Sequence, residues 1–504
     1  MKAAEKTTTP GYLLLLFVLG FGMFMFTRTG HIVPYFDFAI LLAPVIILRF
    51  SRIQPLKRGT WLTLLGFLLS MNIALWGLFK FDNETLTVTF GLIRSSLLAV
   101  IWFLPFFVDR LIYPKISNQG ILPSLIFPVV TTAIFYLSSL EGPFDDGGGT
   151  TSTFGFVYRS LVFMQVRSLF GIWGLVFMHS WFVSIVNHFW ENQSGWKMIK
   201  NPVILYISIM LMLFVYGTIK TSTIWSSKQE TVKIAAVVLV PKNKEAVPMS
   251  RIFNSKTTSP FGETISRIEN LTKAAADAGA RIVSFQEFAM VIKQADEPIL
   301  IEQFQITARA NNVFLSITYA FFSKEGKGKN KHLFIDDNGK ILLDYTKRYL
   351  LGFGPFGETG VFEKGPEVIQ STETPYGKIG IAVCRDMAFS SFIRQAANDQ
   401  VDIMLAPSYD WPESRSAWYI TSAVENGFSL VRPTYNGYSY ASDFHGNELA
   451  FMHSDQTTSG VMYADVPVKG IRVLYPVVGD CLGYLSLVGM VAIIGLAWAR
   501  KRKS

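Results

Sequence analysis

Two hydrophobic rhythms divide this chain. Residues 1–220 and 477–498 carry long apolar runs, of the length a helix needs to cross hydrocarbon. Eight spans are expected: Tyr12–Thr27, Tyr35–Leu48, Trp61–Phe79, Leu86–Val108, Ile121–Leu140, Leu169–Trp190, Val203–Thr218 and Val477–Trp498. The second is short, which fits a tilted or partly re-entrant course. Between them, residues 231–468 change to short buried-strand patterns alternating with amphipathic helices. Val232–Val240, Arg281–Phe285, Val313–Ala320, Ile379–Val383 and Asp402–Ala406 read as buried strands. Ser259–Ala278 reads as a helix, with Ile265, Ile268, Leu271 and Ala275 on one face. Pro298–Asn311, Ser391–Asn398 and Ala417–Asn426 read as further helices. Lys331–Asp336 and Lys340–Tyr345 are strands joined by the turn Asp336-Asp-Asn-Gly339. Ser429–Pro433 and Gly437–Asp443 follow, then the turn His445-Gly-Asn-Glu448. Such alternation predicts a layered α/β domain inserted into a helical transmembrane bundle.

Charge gives an orientation. Arg49, Arg52, Lys57 and Arg58 follow the second span, Arg110 and Lys115 the fourth, and Lys197 and Lys200 the sixth. The tail 499–504 is basic, and Lys2 and Lys6 precede the first span. Asp82, Glu84, Glu141, Asp145 and Asp146 lie in the alternate loops. Basic loops stay cytoplasmic, so both termini are expected in the cytoplasm and the α/β domain outside it. The net charge of +9 therefore belongs largely to loops and tail, and no nucleic-acid partner is expected. The amino-terminal run lacks a small-residue cleavage site before Arg28 and reads as a retained span.

The chemistry centres on a lone thiol. Cys384 ends the run Lys378-Ile-Gly-Ile-Ala-Val-Cys384 and is followed by Arg385-Asp386. The other cysteine, Cys481, lies in the last apolar run and reads as a packing residue. A nucleophilic thiol needs a base and an oxyanion stabiliser. Glu287, at the end of one strand, and Lys347, at the end of another, are the candidates. The six histidines show no ligand spacing, so neither a metal nor another cofactor is expected. Gly352-Phe-Gly-Pro-Phe-Gly357 satisfies the dinucleotide fingerprint but contains Pro355 and precedes Glu358, which would repel a pyrophosphate. Asp145-Asp-Gly-Gly-Gly149 reads as a flexible loop, and Phe154–Val166 as an interfacial connector.

Glu287, Lys347 and Cys384, in that order at strand ends, resemble the nitrilase, or carbon–nitrogen hydrolase, superfamily. Seven spans, such a domain and one final span resemble its apolipoprotein N-acyltransferase branch. Pro355-Phe-Gly-Glu358, Pro407-Ser-Tyr-Asp-Trp411 and Ala423–Arg432 extend the likeness. The resemblance implies an αββα sandwich with a Glu-Lys-Cys triad. Glu358, Arg385, Asp386, Tyr409 and Trp411 are then expected to support the triad or bind substrate. It also implies a phospholipid acyl donor, a cysteine thioester and a lipoprotein amine as acceptor, in a bacterial inner membrane. The chain departs from that branch in three places. Phe285-Gln-Glu287 stands where Trp-Pro-Glu is usual. Cys384-Arg-Asp386 stands where Cys-Tyr-Glu is usual. The segment between Glu358 and the cysteine strand is short. These features leave a membrane-anchored amidase of C–N bonds as the alternative.

Overall fold

In the computed structural model, residues 9–27, 36–77, 84–117, 120–141, 160–191, 196–222, 229–240, 259, 261–352, 357–410, 420–454 and 459–501 are described. They form two compact units, 1–219 with 480–504, and 220–479.

The first unit is helical: α1 (Pro10–Met25), α2 (Asp37–Ile53), α3 (Leu56–Ala74), α4 (Glu84–Ile116), α5 (Leu122–Ser139), α6 (Arg167–Glu191), α7 (Trp196–Thr221) and α12 (Cys481–Lys501). Five helices are long and apolar enough to cross a membrane: α4, α5, α6, residues Ile199–Thr221 of α7, and Cys481–Arg500 of α12. α1 is apolar but has 16 residues. α2 and α3 are helices that fall short on length or apolarity. α4 continues past Val108, the expected end of its span, so Arg110 and Lys115 lie within a helix rather than after one. Ile112, Tyr113 and Ile116 hold that extension, packing with Ile126, Val130, Ile493 and Ala497. Edge-to-face aromatic contacts fill the core, among them Phe24 with Phe67 and with Trp102. The buried Arg52 guanidinium donates to both oxygens of Asp109 at 2.8 Å, which pairs α2 with α4. Trp173 Nε1 donates to Asp480 at 2.9 Å, tying the last helix to α6. Asp145–Gly149 and residues 154–159 lie outside the described residues. Leu161–Met164 is a short helix.

The second unit holds two sheets. The first contains β1 (Thr231–Val238), β2 (Ile282–Phe285), β3 (Met290–Lys293), β4 (Phe314–Phe322), β5 (Lys329–Ile335), β6 (Ile341–Thr346) and β15 (Gly460–Pro467). Its order is β15-β1-β2-β4-β5-β6, with β3 on β4. The second contains β7 (Gln370–Thr374), β8 (Gly377–Ile381), β9 (Ile403–Leu405), β11 (Ser429–Arg432), β13 (Gly437–Ser442) and β14 (Glu448–Ser454), in the order β14-β13-β11-β9-β8-β7. A small parallel pair, β10 (Ser408–Tyr409) with β12 (Thr434–Tyr435), stands apart. On the first sheet, odd positions such as Val283, Leu315, Ile317 and Leu333 pack on α8 (Phe261–Asp277) and α9 (Glu297–Asn311) through Ile268, Leu300 and Phe304. The two-residue period of a strand turns Ser284, Ser316 and His332 to the opposite face. α10 (Ser390–Asn398) and α11 (Ile420–Asn426) are the helices of the second half.

Several strands carry no clear run of their own. β3 is four residues long and β7 is mostly polar. β14 and β15 alternate weakly, and β15 is recruited by antiparallel pairing with β1 along its full length. Asp443 shapes the turn expected at His445–Glu448, accepting from the N–H groups of His445 and Asn447 at 2.8 and 2.9 Å.

Candidate active site

Strand direction gathers the candidate residues at one end of the unit. β2 and β4 run parallel in the first sheet, and β6 is two antiparallel steps from β4, so it shares their direction. Glu287 and Lys347 follow the carboxyl ends of β2 and β6. β8, β9 and β11 are likewise parallel, and Cys384 and Tyr409 follow the first two of these. The carboxyl ends of parallel strands are where loops can converge on a substrate.

Glu287 is held on both oxygens. Lys347 Nζ and Asn330 Nδ2 donate to Oε1 at 2.8 and 2.7 Å, and the N–H of Tyr409 donates to Oε2 at 2.8 Å. Gln286 positions it: its amide bridges the N–H and C=O of Leu239 at 3.0 and 2.9 Å, prolonging the ladder beside β1. Lys347 also donates to both oxygens of Glu358 at 2.9 and 2.7 Å. Glu358 accepts in addition from Asn330 at 3.0 Å and from the N–H of Leu351 at 2.7 Å. Glu287, Lys347 and Glu358 are all buried. Burial pushes the Glu287 carboxyl up, while Lys347 beside it pulls it down. The two carboxylates hold the Lys347 ammonium well above the usual lysine range, although burial alone would lower it.

Cys384 departs from the expected strand end. β8 stops at Ile381, and Cys384 opens a tight helical turn, Cys384–Ala388, with φ 47°. Phe288, directly after Glu287, has φ 56°. Left-handed backbone at non-glycine residues costs energy and gathers where a side chain must be presented. The thiol remains partly accessible and faces the carbonyl of Tyr409 at 3.7 Å. The same residue thus offers its N–H to Glu287 and its C=O to Cys384. Dense protein around the sulfur, then the Glu287 carboxylate, pushes the Cys384 thiol up to about 12; Lys347 acts in the opposite sense. The resting group is a thiol.

Asp386 braces this turn. Its oxygens accept from Val383 N–H at 2.9 Å, Tyr349 N–H at 2.8 Å and Tyr345 hydroxyl at 2.7 Å, linking β6 to the cysteine turn. Arg385 donates to the Leu350 carbonyl at 2.5 Å and lies over the Phe389 ring. Both belong to the scaffold of the site. Trp411 lies outside the described residues, as do Pro355 and Phe356.

Four contributors carry no sequence signal of their own. Asn330 is one polar position inside a strand, yet it bridges both carboxylates. Tyr345 reaches Asp386 across the sheets. Arg432 pairs with Asp410 at 3.0 Å, both buried, and their opposed charges reach Cys384. Ser408 donates to the same Asp410 oxygen at 2.9 Å.

Residues 249–475 match the family model described as carbon–nitrogen hydrolase. Citrullinase of Francisella tularensis is 23% identical over 244 residues, covering 40% of this chain and 82% of that protein. Human deaminated glutathione amidase is 26% identical over 184 residues, 32% of this chain. That match spans 56% of the amidase, about half its length. Apolipoprotein N-acyltransferase of Geobacter metallireducens is 24% identical over 374 residues, covering 68% of this chain and 69% of that protein.

Proposed function

We propose, from the carbon–nitrogen hydrolase domain that the C-terminal part of this chain carries, that the protein is a membrane N-acyltransferase working through a thioester on Cys384. One observation carries the reading above others in the superfamily. The likeness to the acyltransferase extends over more residues than the hydrolase domain holds, so it reaches the apolar helices. The likeness to citrullinase covers a stretch no longer than a soluble hydrolase domain.

In this reading, a phospholipid ester carbonyl enters beside Cys384. The thiol proton passes to Glu287 as sulfur bonds to the carbonyl carbon, which suits a thiol that is not ionised at rest. Lys347 and the N–H of Arg385 stabilise the oxyanion. Collapse breaks the ester C–O bond, and the leaving lysophospholipid oxygen takes the proton back from Glu287. The amino-terminal amine of a lipoprotein then attacks the thioester carbon. Glu287 accepts the amine proton and returns it to the departing sulfur, leaving an amide and a free thiol. Glu358 and Asn330 hold Lys347 and Glu287 in register. The basic loops support an extracytoplasmic active site and cytoplasmic termini in a bacterial inner membrane.

Incubation of the purified protein with phospholipid, followed by mass spectrometry, tests this. A hydroxylamine-labile long-chain acyl mass on the Cys384 peptide is expected. Cys384→Ala should fold, lack the adduct and lose transfer by roughly 10³-fold or more. Turnover of small amides with no acyl adduct would instead establish the amidase alternative, which the Cys384-Arg-Asp386 turn and the likeness to deaminated glutathione amidase favour.

A further inference from the structure

A second cavity lies at the other end of the second sheet. It has a volume of about 290 Å³ and is lined by Gln400, Asn426, Arg472, Val473, Pro476 and Val477, among others. These residues precede the amino ends of β9 and β11 or follow β15, whereas Cys384 follows a carboxyl end. The cavity is therefore separate from the candidate active site.

Its walls are fixed by contacts that leave its polar groups unused. Asp402 accepts from Gly470 N–H at 2.9 Å and from Lys378 N–H at 2.8 Å, which pins the segment after β15 to the sheet. Gly427 has φ 76°, and an added Cβ would lie 2.0 Å from the Ile471 carbonyl oxygen, so the crossing chains touch backbone to backbone. Asn426 is 3% exposed. Its Nδ2 donates to the Ser422 carbonyl at 2.9 Å, which fixes the amide orientation and leaves Oδ1 as the acceptor on the cavity side. That buried oxygen has no partner among the described residues. An orphaned buried acceptor in a lined cavity calls for a donor from a ligand. Arg472 donates to Gln400 at 3.1 Å and has no carboxylate partner among the described residues.

The rim is apolar and exposed. Val477 is 81% and Leu474 45% exposed. In sequence they run directly into α12, whose Leu485, Val488 and Val491 are exposed as a lipid-facing surface is. The cavity thus joins one cation, one orphaned acceptor and an apolar edge where the chain turns toward the membrane.

We infer that this cavity holds the headgroup of a membrane phospholipid, with its phosphodiester on Arg472 and a headgroup ammonium or hydroxyl donating to Asn426 Oδ1. The volume lies at the lower end of small-ligand sites, about 300–1,000 Å³, which suits a headgroup with its acyl chains left outside. Phosphatidylethanolamine and phosphatidylglycerol provide both groups. Phosphatidylcholine provides the phosphate but no terminal donor. The site does not require Cys384 to be a nucleophile, so the two readings can fail separately.

The full chain in nanodiscs, with native mass spectrometry of lipid retained on extraction, tests this. The wild-type protein is expected to retain one phosphatidylethanolamine more than Arg472→Glu or Asn426→Leu. Retention of phosphatidylcholine at that site should be about tenfold weaker, the usual worth of one buried hydrogen bond. Arg472 is exposed, so Arg472→Glu should keep the wild-type unfolding temperature and rate of Cys384 alkylation. Gln400→Ala, also exposed, is a second variant that should weaken retention through Arg472. Equal retention by all variants, or no preference against phosphatidylcholine, would overturn the proposal. Soluble glycerophosphoethanolamine that displaces nothing below millimolar concentration is expected of a lipid site. Displacement at micromolar concentration would make this a site for a free phosphodiester and would overturn the lipid assignment.

Discussion

The Lys347 ammonium lies 2.8 Å from Oε1 of Glu287, with both side chains shut away from solvent. The same ammonium lies 2.7 Å from Glu358, so one cation is shared between two buried carboxylates. A buried charge that loses its partner costs far more than an exposed one. Stability and chemistry therefore depend on the same three groups.

Lys347→Met should act on both. It leaves Glu287 and Glu358 facing each other in a buried place without their cation. The expected loss is about 3–5 kcal/mol of stability, read by thermal unfolding of the detergent-purified protein, with no detectable acyl adduct on Cys384. A variant that kept wild-type stability would show that Lys347 does not hold these carboxylates.

Asn330→Leu should shift a pH profile. The Asn330 amide donates to Glu287, and this hydrogen bond holds the carboxyl down against burial. Without it the carboxyl rises, and a larger fraction is protonated at a given pH. The acid limb of the rate of acyl-enzyme formation is expected to move to higher pH, with the plateau falling roughly tenfold. An unmoved limb would remove Glu287 as the titrating base.

Asp386→Asn should loosen the cysteine turn. Asparagine presents an NH₂ where a carboxylate oxygen accepts from backbone N–H groups. A fall in unfolding temperature and a changed rate of Cys384 alkylation are expected. There is also a pH signature. Burial pushes Asp386 up to about 6, so the folded form binds a proton more readily than the unfolded chain. This group's contribution to stability is largest below the ordinary carboxylate range and is lost as pH rises to about 6. The substitution should abolish that slope.

His332→Gln should act in the opposite sense. His332 is buried beside Ser316 at 2.7 Å, and burial pushes it down to about 3. The unfolded chain takes up a proton below about 6.5, where the folded form does not. Stability from this group is complete above that pH and falls by up to about 1.4 kcal/mol per pH unit on acidification. The glutamine variant should lose less stability between pH 7 and pH 5 than the wild-type protein.

Periodicity and charge along the chain determined a good deal by themselves. Runs such as Val232–Val240 are apolar enough to be buried on any fold, and the alternation with helices such as Ser259–Ala278 points to stacked layers. Glu287, Lys347, Glu358 and Cys384 stood out because polar groups at the ends of buried strands are few. Only the tertiary structure decided how they meet. Asn330 and Tyr345 look like ordinary strand residues until the register of β5 and β6 sets them against Glu287 and Asp386. The left-handed turn at Cys384 is imposed by hydrogen bonds from Asp386, whose partners come from both sheets. Tyr409 acts through its peptide group, which every residue has, so no side-chain pattern could disclose it. Local pattern reports what each segment must bury; which groups then face one another depends on pairings between positions more than a hundred residues apart, such as Glu287 and Tyr409.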